Sequence, residues 1–283
     1  MGSLSKYYRT KKLSIKLPSR CRWYPEDFID NSDKIVDVMG MTSIDEMEME
    51  NPDTLMSGEA SLSVIRSCCP SIKDPSLLKT IDYKAIMLAI KTSTYGMKEK
   101  MQFKCPQCEK DTEVEIDNSQ ILENVDYCDE EYTVTLDDGL KFYLRPSSIK
   151  VSDKLSKEEF QYERLIRVLQ EFNDKPVEER EKIEEKIKKE IDTLVKNLSI
   201  DLLELISDSI DYVVTPDNEK ISDEKEIKDF IFQLSQKNID IFKEEVTKLN
   251  SKGIPSSIKV ACPECQKVIE LTGFDFDPVN FFD

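Results

Sequence analysis

Histidine is absent from this chain of 283 residues. Its absence removes the commonest acid–base catalyst. It also means that any zinc site must be all-cysteine or borrow a carboxylate. Glycine is scarce, with seven scattered residues, and no GxGxxG fingerprint, P-loop or GxSxG elbow occurs. These absences argue against an enzyme and against a small-molecule substrate. No apolar run approaches the ~20 residues of a membrane span. The opening residues Met1 to Thr10 lack the apolar core of a signal peptide, so a reducing compartment is expected. Positive charge is also short: 40 Lys and Arg face 57 Asp and Glu, a net charge of −17. Such a chain repels nucleic acid and anionic membrane. Only the stretch Lys6 to Arg22 is basic. It reads as a solvated or ordered arm before nucleic-acid contact, with an acidic partner protein as a third option.

The chain has eight cysteines, and four of them form two matching turns. One reads Phe103-Lys104-Cys105-Pro106-Gln107-Cys108, the other Val260-Ala261-Cys262-Pro263-Glu264-Cys265. Each is flanked by strand-like residues: Met101 to Phe103 and Thr112 to Ile116, then Ile258 to Val260 and Val268 to Leu271. Two such knuckles supply four thiolates, the number a tetrahedral structural zinc requires. Inert thiols and a redox-active pair remain open readings. Proline as the first intervening residue, and the duplication itself, favour metal ligation. Cys21, Cys68, Cys69 and Cys128 have no ligand spacing, and Cys68 and Cys69 read as buried helical thiols.

More than half of the chain lies between the knuckles. If they meet, that segment is an insertion closed at its base. Residues 1–34 read as an irregular N-terminal arm. Residues 35–150 with 253–283 read as an α+β core domain: a zinc-ribbon-like small β domain with N-terminal helices. Ile35 to Met39 is strand-like, and Thr42 or Ser43 caps a helix over Ile44 to Glu50, whose Met47 and Met49 fill core gaps. Helices follow at Ser57 to Cys69 and Ile81 to Tyr95, the latter ended by Gly96. Glu131 to Leu136 and Lys141 to Leu144 form a hairpin on Asp138-Gly139. Residues 151–252 read as a largely α-helical bundle insertion. Its helices are Glu158 to Phe172, Val177 to Leu198 with Pro176 in the first turn, Ile200 to Ile210, and one segment over Ser222 to Asn250. Asp211 to Lys220 reads as a loop. At the end, Phe274, Phe276, Phe281 and Phe282 stand among aspartates. They either pack on their own domain or dock on a partner.

The order Leu17-Pro18-Ser19-Arg20 with Tyr24, then Val36-Asp37-Val38-Met39-Gly40-Met41-Thr42 with Asp45-Glu46, resembles the opening of the baseplate hub protein family of T-even-like contractile-tailed bacteriophages. Ser57-Gly58 before a helix ending near Cys68, the run Asp82 to Gly96 closing on Thr94-Tyr95-Gly96, and the Cys105–Cys108 knuckle extend the likeness over residues 13–145. The resemblance implies a non-enzymatic baseplate hub component or assembly factor. It would partner other hub and tail proteins, in the virion tail and in the host cytoplasm during assembly. A cytosolic zinc-ribbon adaptor or chaperone is the alternative, and a thiol oxidoreductase the next.

Overall fold

The computed structural model describes residues 9–50, 58–172 and 177–272. It is a mixed α/β protein with small antiparallel sheets and, among the described residues, eight α-helices. It divides into two compact units, residues 1–130 with 248–283 and residues 131–247. The 274–283 segment with its four phenylalanines, and Pro176, lie outside the described residues.

In the first unit β1 (Lys11–Lys16) pairs antiparallel with β2 (Ile35–Met39). Within the arm, read as irregular over 1–34, residues 11–16 form a strand, while 17–34 run through turns and coil as read. Leu13 and Ile15 alternate with Lys12, Ser14 and Lys16 in the strand, a period-2 signal that is short and easily masked by charge. Three of the arm's cations pair within the chain: Arg9 with Asp45 at 2.9 Å, Lys11 with Asp37 at 2.8 Å and Arg20 with Asp129 at 2.5 Å.

Helices α1 (Ser43–Glu50) and α2 (Glu59–Cys68) follow. The Thr42 hydroxyl accepts from the Asp45 N–H, and the Asp45 carboxylate accepts from the Thr42 N–H. This reciprocal cap is the one expected at that start. Met49 is buried as expected, whereas Met47 is 69% exposed, so it does not fill the core. Cys68 and Cys69 are buried.

The core of this unit is α3 (Thr80–Tyr95). Ile81, Ile86, Met87, Leu88, Ala89 and Ile90 are all fully buried, so the helix is apolar on nearly every face and packs against β1, β2 and α2. Gly40 lets β2 approach it closely: a Cβ there would lie 2.8 Å from the Ser93 carbonyl oxygen. Two hairpins complete the unit. β3 (Lys98–Lys104) pairs with β4 (Asp111–Asp117), and β9 (Ser257–Ala261) with β10 (Val268–Thr272). A short α4 (Asn118–Glu123), absent from the sequence reading, follows β4.

The second unit is not a pure helical bundle. It holds a four-stranded antiparallel sheet in the order β5 (Tyr132–Thr135), β6 (Lys141–Leu144), β7 (Ile210–Val214), β8 (Lys220–Ile221). The expected hairpin β5–β6 is present, but its other neighbour β7 falls where a helix end and a loop were read. Phe142, Leu144 and Val213 turn inward. The Phe142 ring meets Phe242 edge-on at 4.9 Å. On the opposite face Tyr143 stacks on Tyr212 at 4.4 Å.

Helix α5 (Ile149–Phe172) starts earlier than expected, and α6 (Val177–Asp208) is one helix where two were read. The two are antiparallel, since Lys154 near the start of α5 pairs with Asp201 and Glu204 near the end of α6, at 2.7 and 3.0 Å. The segment 222–250 is broken into α7 (Glu224–Ile231) and α8 (Gln236–Asn250). Turn bonds from Gln233 to Phe230 and from Leu234 to Ile231 end α7, and the Ser235 carbonyl accepts the first bonds of α8. Among the described residues no helix is long and apolar enough to cross a membrane.

Candidate metal centre

Each hairpin has an alternating pattern that decides which face meets the unit. In β3–β4, Met101 faces Val114, and Phe103 faces Thr112. In β9–β10, Val260 faces Ile269 and Ile258 faces Leu271. Polar residues alternate outward. The Cys-Pro-x-Cys turn closes each hairpin, and the two turns are built alike. The Cys105 N–H donates to the Lys110 carbonyl, and the Glu109 N–H to the Cys105 carbonyl, at 2.9 and 2.8 Å. In the second turn the Cys262 N–H donates to Lys267 and the Gln266 N–H to Cys262, both at 2.9 Å. Glu109 and Gln266 both adopt left-handed backbone, with φ of 57° and 60°. In both turns the first cysteine is buried and the second half-buried.

The segment carrying the second hairpin returns to the first unit through Gly253. Gly253 and Asp126 exchange backbone hydrogen bonds at 2.8 and 3.0 Å, and Lys252 pairs with Asp126 at 2.8 Å. Gly253 has φ +88°, and a Cβ would stand 3.2 Å from the Ile81 carbonyl oxygen. Only glycine meets both requirements without strain.

The return brings the two knuckles together. The Sγ atoms of Cys105, Cys108, Cys262 and Cys265 all lie within 4.8 Å of one another. Cys105 Sγ is 3.9 Å from Cys265 Sγ, and Cys108 Sγ is 4.0 Å from Cys262 Sγ. Both contacts cross from one hairpin to the other. A tetrahedron with Zn–S bonds near 2.3 Å has edges of roughly 3.8 Å. The sulfurs are therefore spaced as ligands of one ion, and all four cysteines are free of disulfides. Burial raises the Cys105 thiol, but N–H donation from Gln107 and Cys108 and the neighbouring thiols outweigh it and bring it to about 7, while against the Lys110 N–H burial and the neighbouring thiols push Cys108 up to about 11. A thiol so lowered deprotonates readily, as a metal ligand must. The donor set is one that could hold a metal ion through four sulfurs.

Two lysines that the sequence reading passed over sit at this junction. Lys110 Nζ pairs with Glu264 of the opposite turn at 2.6 Å, and Lys267 Nζ donates to Gln107 Oε1 at 3.3 Å. The signal that finds them is the longer repeat Cys-Pro-x-Cys-x-Lys, present in both turns.

A second buried polar cluster fixes the arm. Asp82, fully buried at the start of α3, accepts from the Ser19 N–H at 2.8 Å and from the Tyr24 hydroxyl at 2.5 Å. The Lys79 N–H donates to the same hydroxyl at 2.7 Å. Burial pushes the Asp82 carboxyl up to about 6, against the pull of Ser19, Tyr24 and Lys79.

Residues 38–283 match the model of the family described as T4 bacteriophage base plate protein. No curated protein and no solved structure matches the chain significantly. The family match begins after the Leu17–Arg20 motif and runs on through the second unit and second knuckle, which the resemblance over 13–145 did not reach. It covers most of the described fold, including all four clustered cysteines, and the chain therefore belongs to the T4 bacteriophage base plate protein family.

Proposed function

We propose that the chain is a non-enzymatic component of the baseplate hub, or a factor that assembles it, and that one structural zinc on Cys105, Cys108, Cys262 and Cys265 joins its two hairpins. The observation that carries the zinc reading is the convergence of four sulfurs within 4.8 Å from turns far apart in sequence. Family membership carries the baseplate location. The partners are other hub and tail proteins, met in the host cytoplasm during assembly and then in the virion tail. Nucleic acid is disfavoured, because the net charge is −17 and Arg9, Lys11 and Arg20 are paired within the chain.

The segment with Phe274, Phe276, Phe281 and Phe282 is assigned to docking on another tail protein, because aromatic side chains dominate interface energetics. The ion's role is to cross-link. When bound it supplies folding free energy, because the unfolded chain offers no preformed site.

Two measurements test the reading. Chain purified without chelator should carry about one zinc, by the four-ligand rule, and substoichiometric metal on folded protein would overturn it. Purified, tail-complete particles should contain the chain if it is a resident subunit. Particles lacking it would leave only the assembly role, and phage that build normal tails without the gene would remove both.

A further inference from the structure

We propose that Lys110 and Lys267 are positioning residues of the metal centre, each reaching from the sixth position of its own turn to the third position of the opposite turn and so clasping the two halves together. The inference rests on the four-thiolate reading above and adds to it which residues outside the ligand set hold the geometry.

Three observations carry it. The first is reciprocity. Lys110 meets Glu264 and Lys267 meets Gln107, so each turn gives one ammonium and receives one. The turns are otherwise alike down to their backbone bonds and left-handed fourth-plus-one residues, Glu109 and Gln266. A chance surface contact has no reason to recur in both directions.

The second is where the contacts lie. The hairpins are separate two-stranded sheets with no strand pairing between them. Their alignment at the knuckles therefore falls to side chains, and these two lysine contacts join the same turns that hold the sulfurs. The third is charge. Four thiolates around a divalent cation leave a formal charge of −2, in a chain already at −17. Two ammonium groups at the rim offset it where the second cysteine of each turn is only half-buried.

The clasp is asymmetric. Lys110–Glu264 is an ion pair at 2.6 Å, whereas Lys267–Gln107 is a charge–amide bond at 3.3 Å. Both side chains of the ion pair are substantially exposed, 64% for Lys110 and 45% for Glu264. That decides the expected size. Exposed pairs contribute little, while partners that orient metal ligands cost about 10–100-fold in affinity when removed, so about three- to tenfold is expected here.

The test is zinc affinity of the full-length chain by chelator competition, with the cobalt(II) spectrum as a check on the ligand set. Lys110→Met and Glu264→Gln should each weaken binding by that factor without changing the four-thiolate spectrum. The swap Lys110→Glu with Glu264→Lys should restore it. Gln107→Glu, which gives Lys267 a carboxylate, should tighten binding and make it more salt-dependent. If the wild type binds one metal and Lys110→Met binds it equally well, or if the swap fails to restore affinity, the clasp is wrong and the metal site stands. If the wild type binds no metal, the four-thiolate reading and the clasp fall together.

Discussion

Replacing Asp82 by asparagine should remove a pH dependence that the fold now carries. The carboxyl is buried to the last atom and takes two hydrogen bonds from the arm, at Ser19 and Tyr24. Its proton affinity is raised, because burial disfavours the charged form more than Ser19, Tyr24 and Lys79 favour it. A carboxyl whose folded pKa lies above its unfolded one contributes stability that is complete below the unfolded value, near 4. That stability is lost as pH rises through the folded value of about 6. A rise of about two units corresponds to about 3 kcal/mol between those limits. Asparagine has the shape of the protonated acid and does not titrate.

Urea unfolding of the wild type and Asp82→Asn at pH 4.5 and pH 8 should therefore show the variant gaining on the wild type as pH rises, by up to about 3 kcal/mol. Using the difference between the two proteins cancels the other carboxylates, many of which act in the opposite direction. Parallel loss or gain in both proteins would refute the reasoning. A variant already unfolded at pH 4.5 would mean that the charge–dipole bonds to Ser19 and Tyr24 outweigh burial.

Cys262→Ser should loosen 257–272 and 98–117 together in hydrogen exchange, since the sulfurs pair across the two hairpins; loosening of 257–272 alone would mean that the hairpins share no ion. Gly253→Ala should cost about 1–3 kcal/mol in urea unfolding, from left-handed strain plus the approach to Ile81. Gly96→Ala, also left-handed but with open space around its Cβ, should cost less, and equal costs would show that the approach contributes nothing. Glu158→Gln should stabilise the second unit. The buried Glu158 Oε2 and Asp201 Oδ2 both lack a hydrogen-bond partner, and burial together with the Asp201 charge raises the Glu158 carboxyl. An amide supplies the missing donor, worth about 1 kcal/mol. Because the raised carboxyl loses its contribution as pH rises, the gain should be larger at pH 8 than at pH 5; a loss at both would reject it.

The hairpins were legible in the sequence because two independent signals coincide there: a period-2 pattern and a turn whose cysteines point to a shared purpose. α3 was legible from its unbroken apolar content and the glycine after it. The missed elements are those whose stability comes from distant partners. Ile210 continues the helical spacing of Ile206, so Ile210 reads locally as a helix end and Asp211 to Val214 as the start of a loop. Ile210–Val214 is a strand because β6, more than sixty residues earlier, offers it an edge. Lys11–Lys16 has two apolar residues among four polar ones and is a strand because β2 pairs with it. The break in 222–250 was hidden by apolar residues that keep helical spacing on both sides of Gln233. At the candidate site the convergence of the four cysteines could be read from sequence and the contacts of the lysines could not. The repeat that marks Lys110 and Lys267 is visible, but nothing local says that each lysine meets the opposite turn.

The topology would give a metal ion on the four cysteines a task that a hairpin alone would not have. The first unit is built from residues 1–130 and 248–283, with the second unit inserted between them. Its last hairpin must find the rest of the unit after the whole insertion has been made, at the entropic cost of closing a long loop. Among the described residues, backbone holds that closure at the Asp126–Gly253 bridge. A covalent cross-link over a loop of this length would contribute about 5 kcal/mol by restricting the unfolded chain. A disulfide could do so only in an oxidising compartment, and the sulfurs stand at 3.9 and 4.0 Å as separate thiols. Four thiolates on one ion, as proposed, would give an equivalent constraint without oxidation and would set the orientation of both hairpins where a disulfide would fix a single pair. If the chain docks on other tail proteins as proposed, that second property would help, because a hairpin free to swing about Gly253 would lose ordering entropy on docking.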